Sequence, residues 1–359
     1  MKKVAIIGTV GVPANYGGFE TLTENLIDKL VHEEDYKFTV YCSSKDGKEK
    51  PSTYRGARLE YINLSANGVS SVLYDIISLF KAALNKNDVL LILGVSGCIF
   101  LPLLKRFYKG VAITNIDGLE WKREKWGWAA KKFLKFSERL AVKHSEIVVA
   151  DNQEIKDYIL AEYGRSSELI EYGADHTTSR NTASKSTLAP FDEGTYAIKV
   201  CRIEPENNLH IVLDAFSDSQ SLPLVIVGNW GVSSYGKQLK EQYRHFDHIV
   251  LLDPIYDTDL LFSLRSNAAL YVHGHSAGGT NPSLVEAMYL KLPIVAYDVA
   301  YNRQTTNNQA IYFKSTEELK SILNSYDQID AQKIANDMKM IADAKYTWSR
   351  IAEMYKSLF

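Results

Sequence analysis

Short apolar runs separated by stretches of helical spacing recur along the whole chain, and this alternation restricts the fold more than any other feature. In the first half the runs are Val4–Gly8, Phe38–Cys42, Leu59–Asn63, Val89–Leu93, Val111–Asn115 and Ile147–Ala150. After a segment rich in Ser, Thr and Asn (Thr177 to Gly194) the pattern resumes at Ala197–Cys201, Leu224–Val227, Ile249–Leu252, Ala269–Val272 and Ile294–Tyr297. Strands that are apolar throughout and alternate with helices read as βαβ units of a buried parallel sheet. At 359 residues, 46% of them hydrophobic, the chain has the length for two such domains, each with its own core. The expected plan is α/β, with domains at 1–180 and 190–344 and an amphipathic terminal helix at 345–359. Ligands of parallel sheets sit beyond the carboxyl ends of the strands, so the loops there are where chemistry is expected.

The remaining composition excludes several classes. A formal charge of −2 is far from that of a general nucleic-acid binder. Cys42, Cys98 and Cys201 stand at no metal or redox spacing and read as reduced thiols. No run is long and apolar enough for a transmembrane helix. Met1-Lys-Lys is followed by Val4–Gly8, too short for the apolar core of a signal peptide, so a cytoplasmic protein is expected. No metal is expected either.

Four stretches carry candidate chemistry. The first run feeds Gly8-Thr-Val-Gly-Val-Pro-Ala-Asn-Tyr-Gly-Gly-Phe-Glu-Thr21. Its spacing is neither the dinucleotide fingerprint nor a P-loop, but Gly17 and Gly18 would let backbone approach a phosphate before a helix starts. Asp117 and Glu120 follow a strand end and could accept a proton from an attacking hydroxyl. Asp117-Gly118 equally suits a turn, and Glu120 a helix start. From Trp121 to His144 the chain is basic and aromatic: Trp121, Trp126 and Trp128 stand among Lys131, Lys132 and Lys135. That combination suits the interface of an anionic membrane, or else a surface helix packed on the sheet. The fourth stretch is Tyr271-Val-His-Gly-His-Ser-Ala-Gly-Gly-Thr-Asn-Pro-Ser-Leu-Val-Glu-Ala-Met-Tyr-Leu-Lys291. Asn281 is a preferred N-cap and Pro282 suits the first helical position. Gly278, Gly279 and Thr280 therefore lie where free N–H groups and a helix dipole meet, a setting for phosphate or sugar hydroxyls. Glu286, on that helix, could accept both hydrogen bonds of a diol.

This fourth stretch resembles the signature of retaining GT-B glycosyltransferases, which have two facing Rossmann-like domains and a terminal helix crossing back to the first. His-Ser-Ala-Gly-Gly-Thr-Asn-Pro-Ser-Leu-Val-Glu-Ala, from His275, is similar to the bacterial capsular and cell-wall rhamnosyltransferase branch, and the loop around Tyr16, Gly17 and Gly18 resembles it too. The resemblance implies that Glu286 takes the nucleotide ribose. The first glutamate of the family pattern is replaced by Gly278. Val200-Cys-Arg-Ile-Glu-Pro-Glu-Asn-Asn208 matches the family at the diphosphate-neutralising Arg202, while the usual lysine is Asn207. Donor contacts are thus expected from Gly17, Gly18, Arg202, Asn207, Gly228, His275, Gly278, Gly279, Thr280, Asn281 and Glu286, and acceptor contacts from Tyr16, Asp117 and Glu120. The implied activity is transfer of a hexosyl group, L-rhamnose from dTDP-L-rhamnose, with retention onto an undecaprenyl-diphosphate-linked sugar. It would need no metal and would run at the inner face of the plasma membrane. A nucleotide-sugar 2-epimerase of the same fold and a non-catalytic sugar-nucleotide-binding scaffold on the membrane are the alternatives.

Overall fold

The structure is a computed structural model that describes residues 1–14, 17–46, 50–116, 118–123, 126–177, 190–219 and 221–359. The chain divides into two compact units, residues 1–173 with 348–359, and residues 174–347. The first division thus falls ahead of the Ser/Thr/Asn-rich segment.

The first unit contains β1 (Lys2–Ile7), β2 (Tyr36–Ser43), β3 (Thr53–Tyr54), β4 (Ala57–Ile62), β5 (Val89–Leu93), β6 (Val111–Ile116), β7 (Ile147–Ala150) and β8 (Glu168–Leu169). They form one sheet in the order β3-β4-β2-β1-β5-β6-β7-β8, parallel except for β3. The central strands are apolar throughout because both faces are covered: all five residues of β5 are buried, as are Val4 to Ile7 of β1. Its helices are α1 (Gly18–Leu30), α2 (Ser70–Leu84), the single turn α3 (Leu101–Leu104), α4 (Trp128–His144) and α5 (Gln153–Tyr163). The connection from β1 to β2 runs one way along the sheet, and those from β4 onward run the other way. Right-handed crossovers therefore place α1 on one face and α2 to α5 on the opposite face. Packing of α2 on α3, α3 on α4 and α4 on α5 agrees with this layering.

The second unit contains β9 (Ala197–Val200), β10 (Leu224–Val227), β11 (Ile249–Leu252), β12 (Leu270–His273), β13 (Ile294–Tyr297) and β14 (Ile311–Phe313), all parallel, in the order β11-β10-β9-β12-β13-β14. Its helices are α6 (Leu209–Asp218), α7 (Ser234–Tyr243), α8 (Thr258–Ser266), α9 (Pro282–Tyr289), α10 (Ala300–Thr305), α11 (Thr316–Asn324) and α12 (Ala331–Lys345). Leu209, Val212, Leu213 and Phe216 of α6 pack into a core with Leu224, Ile226, Val272 and Val295 of the sheet. The apolar runs read from the sequence coincide with strands to within two residues. The short strands β3, β8 and β14 were not anticipated.

The chain ends in α13 (Trp348–Lys356), which belongs to the first unit. Trp348, Ile351, Ala352 and Tyr355 are its buried face, at the spacing of one helical stripe, and it packs on α1. The Trp348 ring stands edge-on to Tyr172 at 4.8 Å. The Tyr355 hydroxyl accepts a buried hydrogen bond from Asn115 Nδ2 at 2.5 Å. Phe359 lies against Tyr36 and Phe38. Trp348→Ala should therefore destabilise the first unit by about 3–5 kcal/mol, the cost of emptying a buried aromatic site. Urea unfolding followed by circular dichroism checks this, and an unchanged midpoint would show that the helix is mere surface cover.

Candidate functional site

In the second sheet the chain runs outward from β9 to β11, returns, and resumes with β12 beside β9 before running outward the other way. The loops after β9 and β12 therefore leave side by side at a topological switch point, the place where open parallel sheets bind ligands. These loops, residues 201–208 and 274–281, are clamped together by side chains. Asn207 is buried; its Nδ2 donates to the Arg202 carbonyl at 2.9 Å, which turns its Oδ1 toward His275 Nδ1 at 3.2 Å. With the amide so oriented, Nδ1–H of His275 is the donor. Asn208 Nδ2 donates to the Gly274 carbonyl at 2.9 Å, and the Ser276 N–H and hydroxyl both donate to the Glu206 carbonyl. A Cβ on Gly274 would stand 2.3 Å from the Asn207 carbonyl oxygen, so the two backbones meet where no side chain fits.

Beyond this clamp the second loop turns into α9. Asn281 is the N-cap, its Oδ1 accepting from Ser283 N–H at 3.1 Å and from the Ser283 hydroxyl at 2.8 Å, and Pro282 opens the helix. Gly278 has φ +109°, a conformation that L side chains rarely adopt. The glutamate of the family pattern is thus replaced by a residue whose backbone geometry suits glycine.

Glu286, on the second turn of α9, is 13% exposed. Its Oε2 meets Arg265 Nη1 at 2.7 Å and its Oε1 meets His176 Nε2 at 3.3 Å. Burial alone would raise its pKa, but the Arg265 guanidinium and the His176 ring outweigh burial and hold the carboxyl below its ordinary value. It is therefore an anion at neutral pH. A carboxylate has about four lone-pair sites, so these two partners leave acceptor capacity for a diol while fixing where it points. Arg265 and His176 were not anticipated, because they come from the end of α8 and from the turn Asp175–Thr177.

The other expected donor residues divide by position. Arg202 follows β9 with a 40% exposed side chain, its Nε 3.6 Å from Glu204 Oε2, and is free to reach a ligand. Asn207 is a buried clamp rather than a surface substitute for a lysine. Gly228, just after β10, is packed so closely on Ile203 and the Cys201 carbonyl of the loop after β9 that no Cβ fits there. Thr280 and His275 are buried and line the base of the loop. Lys199 and His273, at the ends of β9 and β12, were also missed. Burial lowers the pKa of Lys199, and it lowers that of His273 well below the usual value, helped by the Lys199 and His275 charges. The lysine inside the apolar run Ala197–Val200 was the visible signal. Asp257-Thr258-Asp259, an Asp-x-Asp pattern overlooked in the sequence, caps α8: Asp257 Oδ1 accepts from the Asp259 and Leu260 N–H groups.

In the first unit Gly17 has φ +124°, and a Cβ there would fall 1.9 Å from Glu20 Oε2. Glu20 is buried; its Oε1 accepts from Val10 N–H at 2.7 Å and the Thr9 hydroxyl at 3.0 Å, folding the glycine loop over the start of α1, where Gly18 is the first residue. Tyr16 and Asp117 lie outside the described residues. Glu120 is bound within its own loop, accepting from Trp126 Nε1 at 2.9 Å and pairing with Arg123 at 2.8 Å. Trp121 Nε1 donates to buried Glu138 at 3.0 Å. Lys135 pairs with Glu162 at 3.0 Å and Glu138 at 3.5 Å beneath the Trp121 ring. Trp121, Trp126 and Lys135 are thus committed to internal contacts, whereas Trp128 and Lys132 are exposed and Lys131 is half-buried.

Residues 181–339 match the family described as Glycosyl transferases group 1, and residues 1–175 match a domain of unknown function, DUF1972. No curated protein matches the chain in sequence. Among solved structures, sucrose-phosphate synthase from Thermosynechococcus elongatus is similar at 17% identity and TM-score 0.81, covering 100% of this chain and 98% of its own. HepE from Anabaena, solved with UDP-glucose, is similar at 14% and 0.73, covering 100% and 99%. The catalytic domain of starch synthase IV from Arabidopsis thaliana, bound to ADP and acarbose, is similar at 12% and 0.73, covering 99% and 98%. The whole chain therefore has the GT-B fold, and its residues 181–339 match the group 1 glycosyltransferase family.

Proposed function

We propose that the protein transfers L-rhamnose from dTDP-L-rhamnose, with retention and without a metal, to an undecaprenyl-diphosphate-linked sugar in capsule or cell-wall polysaccharide synthesis. The reading rests on one observation above all: an ionised Glu286 oriented by Arg265 and His176, one turn inside a helix whose N-terminus faces the switch point. That pair of features suits a ribose diol next to a diphosphate. Solved neighbours with UDP-glucose or ADP support a nucleotide donor, and the similarity of the loops at Gly17 and His275 to the rhamnosyltransferase branch supports this sugar and acceptor.

Breaking the bond from the anomeric carbon to the phosphate oxygen builds negative charge on the leaving diphosphate and positive charge on the ring. Arg202 and the N–H groups leading into α9 address the first charge. Glycine at 278 supplies no carboxylate that could form a covalent intermediate. The acceptor hydroxyl then attacks on the face the phosphate leaves, and a departing phosphate oxygen takes its proton, giving retention.

The test is incubation with a panel of nucleotide sugars and a short-chain lipid-diphosphate sugar, with chelator present and products read by mass and NMR. One rhamnosyl unit added in retained configuration is expected. Isomerised donor without acceptor would instead identify an epimerase, and tight donor binding with neither transfer nor hydrolysis would identify a scaffold. Two substitutions refine the reading. Arg202→Ala should lower kcat by roughly two orders of magnitude, the scale for losing a charge-stabilising donor, and near-normal turnover at saturating donor would remove Arg202 from the chemistry. Glu286→Gln should weaken binding of the free nucleoside diphosphate by about 1.5–3 kcal/mol, the worth of hydrogen bonds to a charged group. Calorimetry decides, and an unchanged affinity would leave Glu286 a purely internal partner of Arg265.

A further inference from the structure

The helices α2, α3 and α4 lie side by side on one face of the first sheet, and their outer surface is not that of an ordinary solvent-facing layer. Leu73, Phe80 and Leu84 of α2 recur at helical spacing yet are 53%, 44% and 60% exposed. Leu103 of α3 and Phe107 just after it are 50% and 46% exposed, and Phe136 of α4 is 50% exposed. The Phe80 and Phe107 rings meet edge-on at 6.2 Å, which joins the apolar surface of α2 to that of α3. The stripe on α2 has the periodicity of a core face, but no element among the described residues of its own unit covers it.

The exposed charges within the three helices have one sign. The carboxylates within α2, α3 and α4 are Asp75 and Glu138, and both are buried. Lys81, Lys132, Arg139 and Lys143 of these helices are exposed, as are Arg106 and Lys109 in the connection after α3, beside which Glu146 pairs with Lys105 and Asp88 faces Tyr108. Neighbouring helices differ: α1 carries Glu24 and Asp28, and α5 carries Glu154, Asp157 and Glu162. Exposed leucine and phenylalanine on helices whose exposed charges, among the described residues, are all cationic call for a partner that is both apolar and anionic. A second copy of the chain fits poorly, because a twofold interface would set these cations against their own counterparts. An anionic lipid bilayer meets both demands, with side chains entering the headgroup boundary and ammonium groups on the phosphates. No helix among the described residues is long and apolar enough to cross a membrane, so contact would be lateral.

We infer that the α2–α3–α4 layer is the membrane-docking face, with Leu73, Phe80, Leu84, Leu103 and Phe107 entering an anionic bilayer. The inference rests on the lipid-linked acceptor of the proposed function and replaces the segment from Trp121 to Lys135 as the centre of contact. The test is flotation of the full chain with phosphatidylcholine vesicles, with and without phosphatidylglycerol. Wild type should bind the anionic vesicles at least tenfold better than the neutral ones. Leu84→Asp with Phe107→Asp should cut that binding at least tenfold, and Lys81→Glu with Arg106→Glu should abolish the preference for phosphatidylglycerol. Both pairs lie at the surface, and nucleoside diphosphate binding, measured in parallel, should stay at the wild-type value. Absence of rhamnosyl transfer would overturn the proposed reaction and leave flotation standing. Wild type that ignores anionic vesicles, a Leu84→Asp/Phe107→Asp variant that floats fully, or a wild-type dimer dispersed by that variant would each overturn the docking face.

Discussion

The buried contact between Arg265 and Glu286 is the interaction on which the geometry of the candidate site depends. Each partner is unaffordable alone in a nearly dry setting, since an unpaired buried charge costs several kcal/mol. Together they tie the end of α8 to the second turn of α9, and His176 ties both to the turn that opens the second unit. The carboxylate is thereby kept ionised and aimed before any ligand arrives. Preorganisation of this kind lowers the cost of binding, because the groups that meet the ligand have already lost their freedom.

A second layer of order comes from the clamp across the switch point. Asn207, Asn208, Ser276 and His275 hold two loops in register through neutral hydrogen bonds. In such a frame a lysine at position 207 could not serve as Asn207 does, because an ammonium donates but cannot accept from His275 Nδ1–H. The half-exposed Arg202 then stands as a cation presented by a clamped loop, which under the proposed function would meet the diphosphate.

Much of this was legible in the sequence for a plain reason. Strands buried on both faces must be largely apolar, so β1, β5, β9 and β12 announce themselves even with Lys199 and His273 among their residues, whereas β3, β8 and β14 are two or three residues long at sheet edges and leave no pattern. The cap of α9 was legible because Asn281 and Pro282 act on their immediate neighbours. Arg265 and His176 were not, since their role exists only once distant segments meet Glu286. Lys135 and Trp121 read as interfacial for the same reason in reverse, as their partners Glu162 and Glu138 are supplied by tertiary packing. The apolar stripe of α2 is the complementary case. Periodicity shows that Leu73, Phe80 and Leu84 share a face, but only the fold shows that they are left exposed among the described residues.

The helix α13 gives the molecule an order of assembly. Tyr172, Asn115 and Phe38 of the first unit find their partners in Trp348, Tyr355 and Phe359. On the ribosome the amino-terminal unit emerges first, as in most two-domain chains, yet its helix α13 is translated only after the second unit. The whole intervening unit must therefore be synthesised before the first can close, and a chain halted between the second unit and α13 would leave the older unit, not the newer one, unfinished.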